Sequence, residues 1–268
     1  NKDPFLLNII ANEAINNLNK WFITNRLSLN VDKTCYMVFT PHKSDYSVNF
    51  KLLLGGLEIK KVKSCRYLGL IIDDELKWSE HIDTIYSCLL KYVGIFYKLR
   101  NKVPAGVMKN VYYAFVHSHI LYGIELYANT FSTYIDRLIK LNNKILRILL
   151  NQSRFCSVNE LYTSFNTLSI PVLHKRQILM LVHNTLYHSS SLPDVFANYF
   201  TLNSSVHTYS TRSHSDIHIY RAYTSFGQRS VTYKGGILWN SLPSDLKCIH
   251  LSVQFKSKLS HLFQTLLH

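Results

Sequence analysis

The sequence predicts an α+β chain, predominantly α-helical, with a small antiparallel sheet near its start. Three observations predict it. Apolar residues recur every three or four positions from Phe5 to Leu27, short β-forming runs fill the stretch from Cys35 to Ile72, and helical periodicity resumes after Trp78.

The first helix is expected over residues 5–26, with Leu6, Ile9, Ile10, Ala14, Leu18, Trp21 and Phe22 as its buried face. Ser28 to Thr34 is turn-like, and Cys35 to Phe39 is rich in β-formers and closed by Pro41, as a short strand would be. Phe50 to Leu54, Gly55-Gly56 and Leu57 to Val62 predict a hairpin, because paired glycines supply the positive φ that a two-residue loop requires. Cys65 to Ile72 is expected as one further strand. Residues 80–100 then place Ile82, Ile85, Leu89, Val93, Phe96 and Leu99 on one side of a helix. Pro104 opens a second, nearly all-apolar helix over 105–128. In a third, over 134–150, Arg137, Lys140, Lys144 and Arg147 fall within about 80° of arc, opposite Leu138, Leu141, Ile145 and Leu149. Residues 157–190 are expected helical with an interruption at Pro171. Ser189 to Gly236 is expected as loop with short strands, and a last helix lies near 252–267.

The composition sets limits on function. Of 268 residues, 47% are hydrophobic and only 9 are Gly and 6 Pro, which excludes collagen, low-complexity linker and wholesale disorder. Thirty basic against 16 acidic residues give a net charge of +14, which points to a polyanionic partner, nucleic acid first and an anionic membrane surface second. The excess is uneven: residues 1–80 carry 11 basic and 9 acidic, residues 81–177 carry 12 and 4, and residues 178–268 carry 7 and 3. No apolar run approaches the ~18–20 residues of a bilayer span, and the basic helices lack the separate exposed apolar face of a membrane-surface helix. Five widely spaced cysteines (35, 65, 88, 156 and 248) give neither a disulfide framework nor a CxxC zinc site, so an intracellular, reducing compartment is expected.

Asp73-Asp74-Glu75 invites a two-metal reading, but the earlier aspartates Asp32 and Asp45 stand in turn-like positions, and an acidic strand end leading into a turn is the better account. His117 and His119 diverge by about 200° on a helix and cannot share a ligand sphere. No phosphate-loop, dinucleotide or nucleophile-elbow motif is present. What remains is a candidate phosphate-tracking surface: Lys91, Lys98 and Lys102 along one side of the first long helix, with the 137–147 stripe on another.

An ordered set of short motifs adds to this. Trp21 is followed by Asn25-x-Leu27-Ser28-Leu29-Asn30-x-x-Lys33-Thr34-x-Tyr36-Met37-x-Phe39. Then comes Cys65-x-Tyr67-Leu68-Gly69-x-x-Ile72-Asp73-x-x-Leu76-x-Trp78-x-x-His81-Ile82. Tyr112, Tyr122-Gly123-Ile124-Glu125, Lys144 to Arg147, Thr211-Arg212 and Leu238-Trp239-Asn240-x-Leu242-Pro243 continue the series. Over nearly the whole chain this resembles the C-terminal part of a jockey-like non-LTR retrotransposon (LINE) reverse transcriptase.

The resemblance implies the C-terminal part of a palm at 1–80 (motifs D and E), a helical thumb at 81–150, and a helical or irregular C-terminal domain of unknown role at 151–268. It implies that Lys33, in motif D, is a candidate proton donor to the departing pyrophosphate, the alternative being a phosphate-contacting or structural salt-bridge lysine. Tyr67, Leu68 and Gly69, in motif E, would support the primer strand. The implied partners are an RNA template and DNA primer, in the nucleus, together with the remainder of the polymerase chain upstream. The family's metal-binding Phe-Ala-Asp-Asp motif is not in this sequence, so the Mg²⁺ of a complete polymerase has no expected ligands here, no cofactor is expected for this chain, and it is not expected to polymerise alone. The alternative is a non-catalytic nucleic-acid-binding remnant of a decayed element.

Overall fold

The computed structural model describes residues 3–39, 50–206 and 213–265; Pro41, Asp45 and the Thr211-Arg212 motif lie outside these. The chain is α+β and predominantly helical, with small two-stranded sheets. It divides into two compact units, residues 1–77 and residues 78–268.

The first unit opens with α1 (Pro4–Thr24), started by Asp3, whose carboxylate accepts the Phe5 amide at 2.9 Å, and by Pro4 in the first turn. Its side toward Ala11 and Ile15 packs on a small cluster of Leu52, Leu54 and Ile59. Asn12 fixes that contact, donating to the Lys51 carbonyl and accepting from the Leu53 amide, both at 3.0 Å. The face predicted to be buried is not: Leu6, Ile9, Ile10, Leu18 and Trp21 are exposed, and α1 has no buried residue. The strands beside it are too short to make a layer that would cover it.

Those strands form three pairs. β1 (Cys35–Tyr36) runs parallel to β4 (Lys60–Lys61), whereas β2 (Leu53–Leu54) with β3 (Leu57–Glu58), and β5 (Ser64–Tyr67) with β6 (Leu70–Asp73), are antiparallel. One pair is thus parallel where only antiparallel pairing was expected. Gly55 (φ +59°) and Gly56 (φ +86°) make the predicted tight turn. Cys65 to Ile72 is a second hairpin rather than one strand, because Leu68 (φ +46°) and Gly69 (φ +85°) turn the chain between Tyr67 and Leu70.

The second unit is helical. α2 (Ser79–Leu99) buries His81, Ile82, Ile85, Leu89 and Phe96 and packs along α6 (Ser132–Leu149). Between them the expected helix over 105–128 is broken: α3 (Ala105–Tyr112) passes through a π-turn at Tyr113–His117 into α4 (Ser118–Leu121), and Gly123 (φ +67°) separates this from α5 (Ile124–Tyr127). The Tyr127 hydroxyl donates across the break to the Ile120 carbonyl. α7 (Val158–Phe165) ends at Asn166 in the left-handed region, and Pro171 lies in the first turn of α8 (Ile170–Tyr187) rather than inside a helix.

α8 is the axis of the C-terminal core, packed on α5, α11 and α13. After α9 (Asn203–Val206) and α10 (Ser225–Gln228) comes α11 (Val231–Asn240), inside and beyond the stretch expected to be irregular. Gly235-Gly236 lowers its helix propensity, yet packing favours both glycines: a Cβ on Gly235 would stand 2.6 Å from the Phe200 ring, which has no room for it, and one on Gly236 would press on Ile219 at 3.1 Å. Asn240 then clamps the Ile217 backbone, accepting its amide and donating to its carbonyl, both at 2.9 Å. α12 (Ser244–Lys247) and α13 (Ser252–Thr265) close the unit, with Trp239, Phe255 and Leu259 in the core.

Candidate nucleic-acid interface

α6 is held from its inner side by a buried polar chain. The Tyr112 hydroxyl donates to Asn142 Oδ1 (3.0 Å), Asn142 Nδ2 donates to the Tyr162 hydroxyl (3.0 Å), and that hydroxyl donates to Asn143 Oδ1 (2.7 Å). Burial holds the Tyr112 and Tyr162 hydroxyls protonated well above the usual tyrosine range. This network joins α3, α6 and α7 and fixes which side of α6 faces outward. Sequence reasoning missed it, although Asn142 within the apolar arc of an amphipathic helix was the available signal.

The outward basic stripe is uneven. Arg137 is exposed but pairs with Asp83 of α2 at 2.5 Å and lies over the Tyr86 ring, its guanidinium carbon 4.5 Å from the centroid. Arg147 is half-buried and donates to the Cys156 carbonyl at 3.2 Å. Lys140 and Lys144 are exposed and, among the described residues, have no acidic partner. They are the two positions of the stripe whose charge is fully available. On α2, Lys91 and Lys98 are exposed, and Arg100 lies 4.2 Å over the exposed Tyr97 ring. Lys102 is exposed in the turn after Leu99, not on the helix as expected, because the chain leaves the helix there to reach Pro104.

In the first unit, Asn30-x-x-Lys33-Thr34 is a capped 3₁₀ turn. The Asn30 side chain accepts the Lys33 amide (3.1 Å), and the Thr34 hydroxyl donates to the Asn30 carbonyl (2.7 Å), leaving the Lys33 side chain exposed. Tyr67 and Leu68 are 62% and 73% exposed at the tip of the β5–β6 hairpin. A leucine in the left-handed region stores roughly 1 kcal/mol or more, so the tip presents an apolar side chain at an energetic disadvantage.

The acidic run does not fit a metal site. Asp73 Oδ1 accepts the Glu75 and Lys77 amides (3.2 and 2.9 Å), closing the turn after β6, while Glu75 pairs with Lys77. Among the described residues no group of three His, Cys, Asp or Glu side chains could hold a metal ion, and no helix is long and apolar enough to cross a membrane.

Most of the other motif residues are structural. Trp239 and Leu242 are core, Asn240 is the clamp described above, and Glu125 accepts from Gln177 at 3.0 Å. No family model and no solved structure matches the chain. A curated protein does: over 138 residues, half of this chain, it is 23% identical to the RNA-directed DNA polymerase from mobile element jockey of Drosophila melanogaster. The chain matches 15% of that protein's length, a distant and partial similarity to a retrotransposon reverse transcriptase.

Proposed function

We propose that the chain is the C-terminal part of a jockey-like RNA-directed DNA polymerase and binds template–primer duplex during target-primed reverse transcription in the nucleus. The observation that carries this reading is the outward face of α6, where Lys140 and Lys144 stand exposed and without acidic partners on a helix whose other side is locked by buried hydrogen bonds. Such a face can track phosphates without disturbing the core. The distant similarity to the jockey polymerase and the charge of +14 support it.

Tyr67 and Leu68, displayed at a strained hairpin tip, suit contact with a primer strand, and exposed Lys33 suits contact with a phosphate or pyrophosphate. The apolar face of α1, with Phe5, Ile9 and Trp21 exposed, suits packing against other parts of a complete palm.

The test is the salt dependence of binding to a primed RNA–DNA duplex. Two phosphate contacts contribute about 1.8 to the log–log slope, using the B-DNA value of roughly 0.9 per contact. Lys140→Gln with Lys144→Gln should flatten the slope by about that much and weaken all sequences alike. Adding Arg137→Gln and Arg147→Gln should flatten it by less than another 1.8, since Arg137 is already paired with Asp83. An unaltered slope in the folded double variant would overturn the reading of α6.

A further inference from the structure

A cavity of about 410 Å³ opens in the C-terminal region, between residues 199–201, residues 218–224 and the start of α11. It is in the size range of small-ligand sites. Its floor is Phe200, which is 6% exposed and can sit close to α11 only because Gly235 has no side chain. Tyr199, Tyr220, Tyr223 and Tyr233 contribute to its walls, and Tyr220 and Tyr223 are 68% and 82% exposed. Two such exposed rings beside one cavity offer flat faces on which a planar ligand can stack.

The polar groups around these rings are one guanidinium and several neutral hydrogen-bonding side chains. The Arg221 guanidinium lies 5.3 Å from the Tyr223 ring centroid, and His218, held by Asn203 at 3.0 Å, stands edge-on to Tyr220 at 4.7 Å. Thr201, Thr224 and Ser230 also line the cavity, and among the described residues the buried Thr201 hydroxyl has no hydrogen-bond partner. Among the described residues no carboxylate lines the cavity. The wall residues Ser230 and Tyr233 are flanked in sequence by further cations. Arg229 stacks 4.0 Å over Phe131 and has a buried, unpartnered guanidinium nitrogen, while burial and Arg229 hold the Lys234 ammonium below its usual range.

We propose that this cavity binds an unpaired nucleotide of a single strand, with the base stacked on Tyr220 or Tyr223 and its phosphate on Arg221. The chemistry is that of single-strand recognition generally: aromatic faces accept any base, cations follow the backbone, and polar side chains meet a base edge. This gives residues 199–201 and 218–233 a role separate from duplex contact at α6, and it rests on the reading of the chain as part of a nucleic-acid-handling enzyme.

The experiment uses the full chain with two probes, a fluorescein-labelled unstructured 12-nucleotide RNA and a primed RNA–DNA duplex. Tyr220→Ala with Tyr223→Ala should weaken the single strand by about tenfold or more, as lost base stacking does, and leave duplex affinity within about twofold. Arg221→Gln should flatten the single-strand salt slope by about 0.7. Both rings are mostly exposed, so the fold should survive, and circular dichroism checks this. A 5-iodouridine version of the RNA should crosslink to the peptide carrying Tyr220 and Tyr223. Unchanged single-strand affinity in the folded variant, an equal loss on duplex, or crosslinks confined to other peptides would each overturn the inference. If the parent chain binds duplex but no single strand, this inference fails alone; if it binds neither, the proposed function fails with it.

Discussion

The two long amphipathic helices α1 and α6 have the same kind of apolar periodicity and opposite fates. In residues 78–268, α6 buries seven of its 18 residues, whereas in residues 1–77 α1, with 21 residues, buries none. The difference lies in what each unit supplies to cover an apolar face. α6 meets α2, α3 and α7, while α1 meets a cluster of three buried side chains between two-residue strands. At about 25 cal/mol per Å² of apolar area removed from water, a helix left uncovered contributes little stability of its own. Periodicity therefore reports that a helix has a face, not that the face is buried within the same unit.

Hydrogen exchange should expose this contrast most strongly. Amides in the middle of α6, α8 and α11 should exchange at least about a hundredfold more slowly than those in the middle of α1, because local opening governs exchange where few apolar contacts hold the backbone. Equal protection of α1 and α6 would break the comparison.

A matched pair of asparagines sharpens it. Asn142 is 1% exposed and bridges two tyrosine hydroxyls, so Asn142→Ala should cost about 1–3 kcal/mol by stranding the Tyr112 hydroxyl in the core, while the Tyr162 hydroxyl keeps its bond to Asn143. Asn12 hydrogen-bonds the backbone of Asn8, Lys51 and Leu53 near solvent, so Asn12→Ala should cost about 1 kcal/mol and be felt only within residues 1–77. Urea melts followed by probes in each unit check both values.

The same physics decides what could be read from sequence. The long helices of the second unit and the Gly55-Gly56 turn were legible because a local pattern and its tertiary environment agree there. α11 was not, since Gly235-Gly236 argues against a helix until Phe200 and Ile219 are known to need the space. The β5–β6 turn was hidden because leucine seldom adopts the conformation Leu68 takes. The basic stripe of α6 was visible as spacing, but spacing could not show that Asp83 neutralises Arg137 or that Arg147 turns toward Cys156. The aromatic cavity was invisible because its tyrosines are scattered over 199–233 in a stretch without periodicity.

Acid should discriminate between the units as well. Twelve of the 13 histidines lie in residues 78–268. Burial holds His117 and His174 down at about 4, from 6.5, with Arg176 acting against the charged form of the first and Lys234 and Lys175 against that of the second. Unfolding frees both to take up protons, so their contribution to stability is full above pH 6.5 and is lost as pH falls toward 4. The second unit should therefore lose roughly 2 kcal/mol or more across that window. His174→Gln should remove part of the dependence, and a flat stability profile between pH 7 and 4 would contradict the neutral, buried histidines.

The smallest effect concerns left-handed backbone. Among the described non-glycine residues, the second unit places Asn at two of its three such positions, Asn151 and Asn166, whereas the first places Arg26, Leu68 and Leu76 there. Asparagine tolerates this region and leucine does not, so Leu68→Asn should relieve strain at a position that is already 73% exposed. The expected gain is up to about 1 kcal/mol, seen as exchange up to roughly fivefold slower at the Tyr67–Leu70 end of the hairpin. If leucine is retained at this tip for contact with a primer strand, the same variant should bind primed duplex more weakly while its hairpin is more stable. Slower exchange with undiminished duplex affinity would remove Leu68 from the interface and leave Tyr67 as the hairpin's remaining contact.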